Sequence, residues 1–271
     1  MKRICECAGM SRQNYYKARK ARERRKVDEG LVRDLVQATR KEHPRMGGLK
    51  PHSLLKDELL EADVRLGRDR FFEVLGNQGL LLQPRRKTPQ TTNSRHSLPL
   101  FPNLIKTMEI TGPNQVWVCD ITYIRTREGF LYLYLVTDIY SKKIVGYHLA
   151  RTLETSDALK ALKMALKELP EGKLPIHHSD RGCQYCSHEY VGELKKSGLA
   201  VSMTEENHCA ENSIAERVNG ILKNEYYLDV EFHTEATAGK AVDQTVYLYN
   251  TKRPHRSLKL CTPKAVHGEA A

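Results

Sequence analysis

Between Gln115 and Ala150 three strand-like runs follow one another with almost no chain between them. The runs "QVWVCDITYIRT" (115–126) and "GFLYLYLVTDIY" (129–140) are rich in Val, Ile, Leu and Tyr and meet at a short turn, "REG". "KKIVGYHLA" (142–150) follows after another short turn. Strands connected this tightly form an antiparallel meander, which limits the rest of the chain to folds that can be built onto one.

Beyond Ala150 helices and strands alternate. A helix over 155–169, "TSDALKALKMALKEL", sets Leu159, Leu162, Leu166 and Leu169 on one face. "PIHH" reads as a short strand, "SHEYVGELKKSG" as a helix and "LAVSMT" as a strand, and two helical stretches over about 210–228 and 234–250 close the chain. A meander succeeded by alternating helices and strands is the order of the ribonuclease-H-like fold. The expected core is therefore α/β, a five-stranded mixed sheet flanked by helices, over 114–271.

The N-terminal third differs in charge and texture. Residues 1–100 hold 23 Lys and Arg against 12 Asp and Glu, so they carry the whole net charge of +11. Such a concentrated positive field favours a polyanion, and DNA or RNA is the usual one. Residues 2–26 read as a short helix, a turn at "AGMS" and a second, very basic helix capped by Ser11, the outline of a helix-turn-helix. Further helices are expected over 29–42, 51–60 and 68–79, the last ended by Gly79. Residues 1–82 are thus expected to be a basic helical DNA-binding region. From 83 to 113 Pro, Thr, Ser, Asn and Arg dominate and no apolar period survives, the composition of a linker. No run approaches the length of a membrane span, the N-terminus lacks the apolar centre of a signal peptide, and seven irregularly spaced Cys suit reduced thiols. A cytoplasmic protein without membrane contact is expected.

Three carboxylates stand out, each with an ordinary reading when taken alone: a bulge or edge residue for Asp120, a turn former for Asp180 and a solvated helix residue for Glu216. Asp120 sits inside the first strand with Val116 and Val118 as alternation partners, a position that normally packs. Asp180 follows the apolar "IHHS" at a strand exit, where ligand sites in open α/β sheets gather. Glu216 lies in a helix whose packing face is Ile214, Val218, Ile221 and Leu222, while Asn212, Glu216, Asn219 and Lys223 line another side. Converging carboxylates offer hard oxygen ligands that select Mg²⁺ or Mn²⁺, and paired ions serve phosphodiester chemistry. Asp138, in "LVTDIY", reads instead as structural. In "IHHSDRGCQYCSH" the spacing of Cys183 and Cys186 has the form of half a zinc site. One Cys-x-x-Cys is weak support for a four-ligand metal, so the stretch reads as the loop presenting Asp180, and no zinc is expected.

Together these residues closely resemble the DDE transposases of bacterial insertion sequences, in the branch related to retroviral integrases. The matching segments are "NQVWVCDITYI", "YLYLVTDIYSKKIVGY", "HSDRGCQY", "SMTEENHCAENSIAERVNGILKNEY", "YLYNTKRPH" and "TPKA", with 35 residues between Asp180 and Glu216. Ala210 and Glu211 depart from the usual pattern, and Cys5, Cys7, His43 and His52 lack the spacing of the zinc-bearing domain of retroviral integrases.

The resemblance implies an acidic triad of Asp120, Asp180 and Glu216 with Asp120 shared between two Mg²⁺ ions, Mn²⁺ being a substitute. Water would cleave at the element end, and the freed 3′-OH would attack target DNA. Lys223 would contact a phosphate near the scissile bond. Tyr185, Asn212, Asn219 and Arg253 are further DNA-contact candidates. Asn250, Arg253 and His255 shape the active face, bind DNA or cap a helix end. The implied partners are element-end and target DNA, a homo-oligomer on that DNA, and an upstream-frame helix-turn-helix protein joined by frameshifting. Another ribonuclease-H-like nuclease, or a non-catalytic repressor derived from a transposase, would share many of these features.

Overall fold

The computed structural model describes residues 5, 7, 9–82, 98–205 and 212–269. The chain forms two compact units, Met1–Pro84 and Arg85–Ala271.

In the first unit, α1 is a single helix, Arg12–Glu42, capped by Ser11, whose hydroxyl accepts from the Asn14 amide at 3.1 Å. The break expected between residues 26 and 29 does not occur, because no Gly or Pro before Gly30 interrupts the run. Most of the short helix expected ahead of Ser11 lies outside the described residues. Val32 and Val36 pack with Leu55, at the junction of α2 (Leu49–Leu54) and α3 (Lys56–Glu61), with Leu59 of α3, and with Phe71, Val74 and Leu75 of α4 (Arg68–Asn77). Gly79, at φ +66°, turns the chain so that the Leu80 amide reaches back to the Leu75 carbonyl at 2.8 Å.

The second unit is built on one mixed sheet. Its strands are β1 (Val116–Thr126), β2 (Gly129–Asp138), β3 (Ile144–Ala150), β4 (Ile176–Ser179), β5 (Val201–Met203) and β6 (Glu231–Phe232). The order is β3-β2-β1-β4-β5, antiparallel from β3 to β1 and parallel from β1 to β5. The two-residue β6, which the sequence does not announce, pairs with Arg125 and Thr126 of β1. Part of the stretch expected as linker, 83–97, lies outside the described residues. The remainder belongs to this unit, since Leu98, Phe101, Ile105 and Ile110 pack on its core.

Strand alternation divides the core into two sides. Trp117, Cys119, Tyr134 and Val136 face α5 (Thr155–Lys167) and α7 (His188–Lys196). Ile124, Leu131, Leu133 and Leu135 face α8 (Ser213–Tyr226) and α9 (Glu235–Thr251). The first side is tight at Gly146 of β3, where a Cβ would overlap the Ala161 carbonyl and lie 2.9 Å from the Ala165 methyl. The unit also has the one-turn helix α6 (Cys183–Cys186), a 3-10 turn over Arg256–Leu258 and the C-terminal α10 (Pro263–Glu269). Among the described residues no helix is long and apolar enough to cross a membrane.

Asp138 closes the β2–β3 turn. It is fully buried and accepts from the Asn114 amide and from the Ser141 amide and hydroxyl, each at 2.7 Å. Burial pushes its carboxyl up, but His267 and these donors outweigh it and hold the group below the usual carboxylate range. The stability it contributes is therefore present above the ordinary Asp pKa and lost as pH falls through the lowered value. Asp138→Ala leaves three donors without their acceptor and should cost about 3 kcal/mol or more at neutral pH. Urea denaturation checks this, and an unchanged midpoint would refute it.

Candidate active site

Parallel pairing of Cys119 with Ser179 places the next residues on each strand, Asp120 and Asp180, side by side where β4 ends. Asp120 is half-buried and accepts from the Ile121 amide at 2.9 Å and from the Asn219 side-chain amide at 2.6 Å. Asp180 lies in a loop shaped by its own side chain, which accepts from the Gly182 amide at 3.0 Å. A Cβ on Gly182 would sit 3.0 Å from that same oxygen, so the loop closes tightest with glycine there. Arg181 ties the loop to the end of β5 by donating to the Thr204 carbonyl at 2.7 Å.

α8 crosses the stretch of β1 that neither β4 nor β6 pairs. Asn212, at its N-cap, donates to the Cys119 carbonyl at 3.1 Å instead of capping its own helix. One turn on, Glu216 is half-buried, and Asn219 and Lys223 continue the row. The Lys223 ammonium lies 6.0 Å from the centroid of the Tyr123 ring. Burial lowers its pKa, and the attraction of Asp120 opposes that.

The carboxylates act on one another through space. Asp120 is pushed up to about 7, first by burial and next by the charge of Asp180, with Glu216 adding to it; the Ile121 and Asn219 donors pull the other way. Among the described residues no three His, Cys, Asp or Glu side chains stand together as a ready-made metal cage. The fit to a cation lies in charge and donor chemistry. Asp120 and Asp180 flank one strand end, Glu216 acts on Asp120 through its charge, and the shift of Asp120 reports the negative field that a divalent cation would relieve.

Several candidates from the sequence have other occupations. Arg253, two residues past the end of α9, is buried and donates from its Nε and a terminal nitrogen to Glu225 at 2.8 Å, so it ties this segment to α8 and faces no solvent. Tyr185 is buried against His177 and Tyr190. Asn212 and Asn219 are buried and serve β1. A direct DNA contact, expected of these four, does not fit their placement. Asn250 brackets both backbone groups of Ile144, and the His255 ring packs edge-on to Tyr249. The histidines of "IHHS" are interior too: His177 Nε2 meets the Tyr190 hydroxyl and His178 Nδ1 the Ser202 hydroxyl, each at 2.9 Å. Cys183 is exposed, whereas Cys186 is buried against the Met203 sulfur at 3.6 Å. Part of the segment ahead of Glu216, residues 206–211, lies outside the described residues, Ala210 and Glu211 included. Tyr123, beside Lys223, carries no signal in the sequence beyond its strand position.

The Integrase core domain family matches residues 110–209, and a second family of that description matches 197–263. The insertion element IS600 uncharacterized 31 kDa protein of Shigella sonnei is 36% identical over 97% of this chain and 96% of its own length. Transposase InsF for insertion sequence IS3A of Escherichia coli K12 is 38% identical over 56% of this chain, an alignment spanning about half (53%) of that relative. The simian T-cell lymphotropic virus intasome structure shares the fold, with a TM-score of 0.51 at 18% identity over 80% of this chain and 73% of its own.

Two measurements check the site's electrostatics. The folded state holds the Asp120 proton up to about pH 7, while an unfolded Asp releases it near pH 4, so wild-type stability falls across that window. Without divalent cations, the melting temperature of Asp120→Asn relative to wild type should rise by several degrees between pH 4.5 and 8; a constant difference would contradict the assignment. Arg253→Ala removes a buried guanidinium that donates twice to Glu225 and should cost about 3–5 kcal/mol. Weaker DNA binding at unchanged stability would instead return Arg253 to the DNA surface.

Proposed function

The chain belongs to the integrase-core family of bacterial insertion-sequence transposases, and on that premise we propose that Asp120, Asp180 and Glu216 form the centre at which it cleaves element ends and joins them to target DNA. The upward shift of Asp120 next to Asp180 carries this reading, because crowded carboxylates are costly unless a cation shares them. Divalent magnesium held by the three carboxylates would activate the attacking oxygen and stabilise the leaving one.

The chain's own residues hold and orient. Asn219 and the Ile121 amide fix the Asp120 carboxylate, so its lone pairs keep one direction. The Asp180–Gly182 contact does the same for the second acid. Lys223, on the row that carries Glu216, takes a phosphate flanking the reacting one. The first step exchanges a water oxygen for the 3′ oxygen of the element end. The second exchanges that 3′ oxygen for a target-strand oxygen, one phosphodiester formed for one broken, so no high-energy cofactor is needed. The working form is a homo-oligomer on DNA, with an upstream-frame helix-turn-helix protein as the expected fusion partner.

The test incubates labelled duplexes carrying the ends of the encoding element with target DNA and Mg²⁺. Wild type should yield joined product, and Asp180→Asn should fall to background while still binding the ends. Mg²⁺ should also raise the melting temperature of wild type and not of Asp180→Asn. Binding without joining by wild type, or equal joining by both proteins, would refute the chemistry.

A further inference from the structure

The β1–β2 hairpin continues past the acids and carries an aromatic surface that the chemistry above does not use. Register sets Tyr123 directly opposite Tyr132, and Arg125 opposite Phe130, so these side chains share a face. The rings of Tyr132 and Phe130 meet that of Tyr123 at centroid distances of 5.6 and 6.2 Å, both edge-on. On this face Tyr134 is buried, its hydroxyl donating to the Thr152 and Glu154 carbonyls just ahead of α5, and Tyr132 is half-buried against the same core. Towards the hairpin tip Tyr123 is 40% and Phe130 56% exposed.

Cross-strand packing accounts for the ring contacts but not for the cations beside them. Lys223 comes from α8, on the other side of the sheet. It reaches past the stretch of β1 left between β4 and β6 and ends over the Tyr123 ring. Arg125 and Arg127 of the same hairpin are exposed. Exposed rings flanked by cations are what unpaired nucleotides recognise, ring on base and cation on phosphate. Tyr123 is three residues from Asp120, about 10 Å along a strand, so a nucleotide next to the scissile phosphate comes within reach.

We infer that Tyr123, supported by Tyr132 and Phe130, is a stacking platform for an unpaired base at the DNA terminus, with Lys223 and Arg125 on the adjoining phosphates. The assignment rests on the transposase reading for the source of that terminus. Fraying the end onto the platform would present the reacting strand to the acids as a single strand.

A fluorescent adenine analogue, 2-aminopurine, placed at each terminal position of an element-end duplex in turn tests this with the full chain. Binding should quench it at a defined position, and Tyr123→Ala should abolish the quenching and weaken binding to frayed ends about tenfold, with fully paired duplex little affected. Since Tyr123 also supports the hairpin, Tyr123→Trp is the second variant. It should quench and bind at least as well as wild type, and about tenfold weaker binding by a folded Tyr123→Trp overturns the platform. So does a bound end without quenching at any position, or equal quenching by Tyr123→Ala. Quenching without joining would leave the platform standing and sink the proposed chemistry; joining without quenching would do the reverse.

Discussion

Four parallel backbone pairs, Val116–Cys119 against Ile176–Ser179, are the constraint on which the second unit's chemistry depends. They bring together two acids that are 60 residues apart in the chain, and they do so only in one register. A slip by one residue would turn every side chain of β4 to the opposite face. β4 is too short to hold its place by ladder hydrogen bonds alone, and its two histidines supply the rest. His177 reaches one layer of the core at Tyr190, and His178 reaches β5 at Ser202, whose hydroxyl also accepts from the Leu104 amide at 2.9 Å. Burial, and then the neighbouring His178, hold His177 down at about 3, so it stays neutral where the protein works and leaves the negative field of the acids uncompensated.

Asp120 accepts from neutral dipoles. The Asn219 amide and the Ile121 N–H each donate to Asp120, and Lys223 is drawn towards it without an ion pair at contact distance. A fully compensating salt bridge would lower the cost of the cluster and also its appetite for a cation. Asp120 is thus steadied by neutral donors.

The outline of the core is legible in the sequence because its signals are local. Tight turns force the meander, an acid within an apolar strand is conspicuous, and the row from Asn212 to Lys223 obeys helical spacing. The illegible parts depend on partners distant in the chain. Arg253 in "TKRPH" has the composition of a DNA contact, and only Glu225, 28 residues earlier, makes it structural. Tyr185, Asn212 and Asn219 are residue types that serve surface and interior equally, and burial decides between them. β6 has two residues and no periodicity to detect. The continuous α1 stands in place of two expected helices because a change from basic to apolar composition resembles a boundary where the backbone has none.

The buried Arg253–Glu225 pair has a consequence beyond holding the segment after α9 to α8. Glu225 lies near the C-terminal end of the same α8 whose first turn carries Glu216, whose middle carries Asn219 and whose last turn carries Lys223. That helix is pinned at its start by Asn212 on β1 and near its far end by Arg253, so acid, amide and ammonium share one rigid bar with two bolts. Loosening either bolt would displace the three groups in concert, and a substitution at Arg253 would then mimic a catalytic lesion from well outside the centre.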